Sequence, residues 1–479
     1  MNTKSKTELL AICEQYKLTK YKSKTKTELI EMINVATQVT PPLSLIPLTT
    51  QPPPPLTTQP TNKKEGSKGL KALVVENVVP LLVAETFVGC GGSHFGFKKA
   101  GFKSVFANDI WQDAVNTLKQ NDADLEENAV ICDDIYKIDA DYLKGRNINY
   151  DNLDVLIGGV VCKGFSLAGV RNPYDERNYL YLQQLRLVGV LRPKISIIEN
   201  VPGMLNMKIL RRDNNKEIEV LCKELDTICD KHKKIRGRLI AEKKKLVSNS
   251  NSELKIGADN TKKEMDVLSK QRKELEEKLE DYKYSVVEDI EKIYGELGYE
   301  VHKKVLTCSD YGCYTNRQRL FIVAVRKDTG IQWTYPAPTT KDCRPTVRDG
   351  FAILDYKGLN NPTTDVDNRP MNHSEATVAK FKQIVAGEKA AEGYFSRGTC
   401  SRLTYDKPAP TLVPGHSAFQ VHPVEHRSIT VREGATLTGF DTNFKFYGSH
   451  SSRCMQIGNA IPVQMAYAIA EHIRGALHP

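Results

Sequence analysis

The chain lacks any Cys-x-x-Cys pair, and its eleven cysteines and ten histidines form no group at zinc-ligand spacing. A metal site is therefore not expected. No apolar run is long enough to span a bilayer and no signal peptide is recognised, so no membrane role is expected. Free thiols fit a reducing, intracellular setting, nucleus or cytoplasm according to the organism. A glycine-rich turn at residues 84–92 is followed by neither Lys-Ser nor Lys-Thr, which argues against a nucleoside triphosphate loop. What the chain does have is length and positive charge, 479 residues with a net charge of +10. The length leaves room for a catalytic domain and added modules. The charge favours a polyanionic partner, although solvation of long lysine side chains accounts for charge alone.

The most informative stretch is Gly158-Gly159-Val160-Val161-Cys162-Lys163-Gly164-Phe165-Ser166. A cysteine sits in a glycine-rich turn after the apolar run Val155, Leu156 and Ile157, which reads as a buried strand. Open α/β sheets place their chemistry at such strand ends. Taken alone, Cys162 is better read as a small buried hydrophobe. A second apolar run, residues 195–198, ends in Glu199-Asn200-Val201. A thiolate beside a carboxylic acid can attack an electron-poor ring and protonate its nitrogen. Upstream, the glycine-rich turn carries Phe87, Gly89, Gly91 and Gly92. Two further strand-like runs end in Asn108-Asp109 and in Cys132-Asp133-Asp134-Ile135. Successive strand ends bearing Gly, Asp and Asp suit an adenosine-containing cofactor, with the first Asp on ribose hydroxyls.

These motifs, in this order, resemble the cytosine-5 DNA methyltransferase family. The resemblance also rests on Asp175-Glu176-Arg177-Asn178-Tyr179-Leu180, Asn316-Arg317-Gln318-Arg319-Leu320-Phe321, Arg402-Leu403 with Pro408-Ala409-Pro410-Thr411, Arg432-Glu433 with Gly439-Phe440, and Gln456-Ile457-Gly458-Asn459-Ala460-Ile461-Pro462. It spans roughly Leu81 to His472, with one large insertion. It implies an α/β, doubly wound Rossmann-like methyltransferase domain with a smaller target-recognition domain. It further implies that Cys162 attacks C6 of a flipped-out cytosine, that Glu199 meets N3, and that Arg317 and Arg319 stabilise the intermediate. For S-adenosyl-L-methionine, the family pattern maps Phe87, Gly89, Gly91 and Gly92 to the methionine and sugar side. Asp109 maps to the ribose, Ile110 to the adenine face, and Asp134 with Ile135 to the adenine edge. Gly159, Leu180 and Asn459 close the pocket, and Trp111 either flanks the adenine or is structural. Val161 and Lys163 stand where the family carries proline and glutamine, and Thr315 where it carries glutamine. None of the three performs a chemical step.

The remaining segments define the predicted organisation. Residues 1–36 repeat a Ser/Thr-capped helical pattern (Ser5 to Leu10, Thr25 to Ile30) and resemble the SAP module, a small DNA-binding unit. The alternative is a helical hairpin for protein contacts. Residues 37–70 form a Pro-rich flexible linker. The catalytic domain is expected at 71–205 and 285–326, a target-recognition region at 327–400 and a closing segment at 401–479. Arg344, Arg348, Asn372, His373 and Arg397 are unranked base-reading candidates. Residues 206–284 carry apolar positions at three- and four-residue spacing on either side of a polar break at 248–260. They predict an inserted antiparallel coiled-coil hairpin running into a helix over 286–297. Its basic runs, 231–238 and 243–245, read as a solvated face; DNA contact, a protein partner or self-association is the alternative. Methylation of DNA cytosine is thus the leading expectation. An RNA (tRNA) methyltransferase and a catalytically degenerate DNA-binding scaffold are the alternatives.

Overall fold

A computed structural model describes residues 80–160, 176–210, 216–248, 252–390, 400–412 and 419–478. The chain divides into two units, Met1–Val78 and Val79–Pro479. The first, with the expected SAP-like module and linker, lies outside the described residues, and so does the Cys162 loop.

The second unit opens as alternating strands and helices: β1 (Leu82–Thr86), α1 (Gly92–Lys99), β2 (Lys103–Asp109), α2 (Gln112–Asn121), β3 (Val130–Cys132), α3 (Ala140–Gly145), β4 (Val155–Gly158), α4 (Tyr181–Leu191) and β5 (Ile195–Asn200). After β5 come β6 (Lys208–Leu210), α5 (Lys216–Ser248), α6 (Ser252–Lys278), β7 (Lys283–Ser285), α7 (Val286–Glu296), β8 (Tyr299–Thr307) and β9 (Gln318–Arg326). Strands pair in the order β3-β2-β1-β4-β5-β9-β8. The first five run parallel; β9 is antiparallel to β5 and β8 antiparallel to β9. Strand order reverses between β1 and β4, the place where open α/β sheets open a crevice beyond their carboxyl ends.

Period-two alternation explains why this sheet is covered on both faces. In β9, Leu320, Ile322 and Ala324 enter one core with Tyr181, Val188 and Tyr294. Phe321, Val323 and Val325 point to the other, with Phe97, Met465 and Ile469. Side chains of a strand point to opposite faces in turn, so the run Leu-Phe-Ile-Val-Ala-Val serves both.

The chain then leaves the sheet for α8 (Val347–Ala352), α9 (Glu375–Lys382), α10 (Val431–Leu437) and α11 (His450–Asn459), and returns as α12 (Val463–Leu477). Helices α8, α10 and α11 share a core with Phe419, Phe440, Phe444 and Phe446. Helix α12 packs on α1 at van der Waals distance. A side chain at Gly92 or Gly96 would collide with the Ile461 carbonyl or with Ala466.

The insertion forms two packed helices, α5 and α6, rooted on the two-stranded β6–β7 ladder. Leu225 and Ile228 of α5 pack with Leu275 and Leu279 at the root. The expected polar break is shorter than its composition suggested. Helix α6 already begins at Ser252, and Ala258 and Thr261 are buried in it. Packing of those two small side chains overrides the weak helix propensity of Asn, Gly and Ser.

Candidate active site

The loop after β1 is held in left-handed backbone. Phe87, Gly89 and Gly91 have φ of 52°, 58° and 98°. Glycine takes this region freely, whereas Phe87 is strained there. The loop is pinned to its neighbour: Gly89 donates its N–H to Asp109 Oδ2 (2.8 Å) and Val88 donates to the Asn108 carbonyl (3.0 Å). Asp109 Oδ1 accepts from the Trp111 N–H (2.9 Å). Burial raises the Asp109 carboxyl above its ordinary value, while N–H groups of Trp111, Gly89 and Ile110 oppose that. Each carboxylate oxygen keeps a further acceptor position, enough for ribose hydroxyls.

Ile110 is 68 % exposed immediately beyond β2. An apolar side chain left open beyond the carboxyl end of a parallel strand fits the flat face of a purine. Space is also open around Gly89. Asn108 binds the β3 side, donating to the carbonyls of Ile131 (3.2 Å) and Asp133 (2.9 Å). Asp134 caps the short turn that follows β3 through the Tyr136 N–H (3.1 Å). The Ile135 side chain is packed in the core, and its carbonyl accepts from Arg186 (2.8 Å). It supports the turn from below. Leu180 is half-buried at the start of α4. These residues fit an adenosine-containing group.

The second half of the site lies at the ends of β4, β5 and β9. Glu199 is buried, and Arg319 Nε lies 2.6 Å from its Oε1. The contact is too poorly aligned to be a full hydrogen bond, so Oε1 has no hydrogen-bond donor. Burial raises the Glu199 carboxyl above the usual carboxylate range, and the Arg319 guanidinium pulls the other way. A Cβ placed on Gly159 would lie 3.4 Å from the Phe87 carbonyl and 3.6 Å from Glu199 Oε2. Gly159 therefore stands where the cofactor loop and the carboxyl meet. Asn200 donates from Nδ2 to the Val160 carbonyl (3.1 Å), anchoring the chain two residues before Cys162.

Arg317 is turned elsewhere. It donates to the carbonyls of Gly458 (2.7 Å) and Asn459 (3.3 Å), and its Nε has no partner. It therefore fixes the end of α11, where Asn459 is exposed. Within residues 327–400, Arg344 pairs with Asp310 (2.7 Å) and Arg348 with Asp406 (2.8 Å). His373 is held by Ser428 (3.0 Å) and Asn372 is exposed, while Arg397 lies outside the described residues.

Sequence reasoning did not single out three positioning groups. Asn200 was visible only as the residue after Glu199. Gln456 accepts from Thr117 (2.6 Å) and donates to the Tyr447 carbonyl (2.8 Å), tying α11 to α2. His94 lies buried between Glu85 (2.7 Å) and Asp122 (2.6 Å), with Ser93 donating to Glu85 (2.8 Å) and Lys98 to Asp122 (2.5 Å). Only the charged Glu85 inside an otherwise apolar strand could have betrayed that cluster.

The profile of one family, described as C-5 cytosine-specific DNA methylase, matches residues 81–229 and 275–475. The chain is 26 % identical over 444 residues to the type II methyltransferase M.DdeI of Desulfomicrobium norvegicum, covering 82 % of this chain and 88 % of that protein. It is 27 % identical over 403 residues to M1.HphI of Haemophilus parahaemolyticus, covering 82 % and 86 %. Among solved structures, a prophage-encoded DNA modification methyltransferase from E. coli superposes with a TM-score of 0.53 at 22 % identity, covering 83 % of this chain and all of that one. The Entamoeba histolytica methyltransferase EhMeth gives 0.50 at 13 % identity, covering 84 % and 100 %. Both structural likenesses concern the fold. Among the described residues, no helix is long and apolar enough to cross a membrane.

Proposed function

Because the chain belongs to the C-5 cytosine-specific DNA methylase family, we propose that Cys162 and Glu199 act together on a cytosine taken out of the DNA stack. The protein is a DNA cytosine-5 methyltransferase and its methyl donor is S-adenosylmethionine. The observation that carries the residue assignment is the buried, incompletely bonded Glu199 beside Gly159. Three peptide units separate Gly159 from Cys162, a reach of about 11 Å at most.

In this reading the Cys162 thiolate adds to C6 of the ring while Glu199 donates a proton to N3, so no negative charge accumulates. C5 thereby becomes nucleophilic. S-adenosylmethionine supplies an electrophilic methyl group for that carbon. Departure of the C5 proton to a base and of the thiolate from C6, with return of the N3 proton to Glu199, restores the aromatic ring and the enzyme. Arg319 holds the Glu199 carboxyl in place and offers charge to the base carbonyl. Arg317 acts at one remove by fixing residues 458 and 459. Gly89, Gly91, Gly92 and Asp109 would hold the methionine and ribose, Ile110 the adenine face, and Asp134 the adenine edge. Phe87, Ile135, Leu180 and Asn459 would bound that pocket. Inside a duplex both ring faces are covered by neighbours, which is why the base must be flipped. Residues 1–36 add a second, SAP-like DNA contact on the tether of 37–70.

The test uses labelled S-adenosylmethionine with genomic DNA and, separately, tRNA. Label in DNA as 5-methylcytosine, lost in Cys162→Ala and trapped as a covalent complex by a C5-fluorinated cytosine, is expected. Equal label in tRNA, or label in DNA that survives Cys162→Ala, would refute the reading.

A further inference from the structure

The inserted hairpin separates its charge along its length. Residues 231–270, the distal half, carry twelve Lys and Arg against five Asp and Glu. Residues 216–230 and 271–282, the proximal half, carry five against ten. The net charge thus runs from −5 in these proximal segments of the helix pair to +7 toward the tip. A charged face that merely keeps a helix pair in solution mixes both signs, as the proximal half does: Arg272 pairs with Glu276 (2.8 Å) and Lys273 with Glu277 (3.7 Å) one turn on. The distal half also holds pairs, Arg238 with Glu242 (3.8 Å) and Glu264, and Lys270 with Glu274 (4.0 Å), but most of its charge is left over. Lys231, Lys233, Lys234, Arg236 and Lys243 are exposed. None of the five has a carboxylate within ion-pairing distance among the described residues. Lys231 and Lys234 stand one turn apart, at i and i+3, on one side of α5.

The root lies close to the chemistry. Strand β6 begins eight residues after Asn200, and the Leu210 carbonyl accepts from the Tyr179 hydroxyl (2.7 Å) just beyond the Cys162 loop. Helix α5 has 33 residues, which at 1.5 Å each makes an arm of about 50 Å. The matched family profile stops at residue 229 and resumes at 275, so the basic half lies outside what the family holds in common.

We propose that the distal half of this hairpin is a further DNA contact, an arm that lies on phosphates of the same duplex outside the site being methylated. The inference rests on DNA being the substrate. A protein partner is the competing occupant, but an acidic root and a basic tip favour a surface of uniform negative charge. Phosphate contacts of this kind raise affinity without reading sequence, and they make it steeply salt-dependent.

The full-length protein is titrated against duplexes of about 15 and about 60 base pairs that share a central sequence, a length difference that exceeds the arm's reach at ~3.4 Å per base pair. The variant carries Lys231→Gln, Lys233→Gln, Lys234→Gln, Arg236→Gln and Lys243→Gln. The long duplex is expected to bind the variant on the order of 10- to 100-fold more weakly at ~0.1 M salt, with a salt slope lower by about 3 to 5, while the short duplex is little affected. A Lys231→Gln/Lys234→Gln protein should move the same way by less, guarding against a folding defect in the fivefold variant. Unchanged binding to the long duplex, or equal losses on both, would overturn the arm. Binding needs no methyl transfer, so failure of the catalytic reading would appear separately, as absent 5-methylcytosine with length-dependent binding intact.

Discussion

Two buried charge groups sit on the same sheet and are treated in opposite ways. Beneath β1, His94 is held by Glu85 and Asp122, and Ser93 and Lys98 bond the remaining carboxyl oxygens. At the end of β5, Glu199 has one poorly aligned arginine and an oxygen without a hydrogen-bond donor. The first group is saturated, so removing His94 from its centre strands charge in the interior. The second is incomplete in a way that a correctly placed ring nitrogen would complete. Full bonding fits a group that holds the fold, and a missing bond on a carboxyl at a strand's carboxyl end is what the proposed meeting with a ring nitrogen requires.

The largest expected effect breaks the incomplete group. Glu199→Gln should lower kcat by about 10²- to 10⁴-fold if Glu199 is the proposed proton donor to N3. Its Tm should change little; a fall in Tm without a fall in kcat would show that Glu199 is structural. Next, His94→Gln should cost about 3–5 kcal/mol of unfolding free energy by stranding two carboxylates. Urea titration measures this, and activity per folded molecule should persist. A loss below about 1 kcal/mol would mean the cluster is not the saturated network it looks like.

The pH response sharpens the same contrast. Burial by itself would push the His94 imidazolium down, but the Glu85 and Asp122 carboxylates outweigh it and raise the group to about 9. Its folded pKa exceeds the unfolded value of about 6.5, so its contribution is full below that pH and is lost as pH rises through about 9. Asp122 works in the other direction. Burial opposes ionisation, but His94 and Lys98 prevail and hold it below the usual carboxylate range, so its contribution disappears in acid. Wild-type stability should therefore decline between about pH 6.5 and 9, and His94→Gln should be flat over that interval. The smallest effect is expected at the rim. The Lys98 side chain is 38 % exposed, and Lys98→Ala should cost less than about 1 kcal/mol.

Much of this layout was legible in the chain. Apolar runs ending in Gly, Asp or Glu placed β2, β4 and β5 and their loops, because a buried parallel strand must be apolar and must stop where its chemistry begins; β1 runs through Thr86, three residues into the expected turn. The helical insertion was legible from its spacing. Its turn was not, because Asn, Ser and Gly signal a break while the burial that overrides them at Ala258 and Thr261 belongs to the partner helix. The His94 cluster was invisible for a related reason. Its members lie far apart in sequence, and no periodicity links a histidine in α1 to an aspartate beyond α2. Arg317 shows the limit of motif reading. The motif put two arginines near the base, and the fold gives one to Glu199 and the other to the carbonyls of residues 458 and 459.

The close seating of α12 on α1 has a consequence in time. Gly92 and Gly96 are shaped for a helix made some 370 residues later. At about 5–20 residues per second, the ribosome needs roughly 20–75 s to supply it. During that interval one face of the sheet has α1 but lacks the α12 residues Met465, Ile469 and Ile473 that complete its cover, and the Arg317 guanidinium has no carbonyls to fix. The enzyme should therefore be born inactive, unable to mark any DNA until α12 has been made and seated.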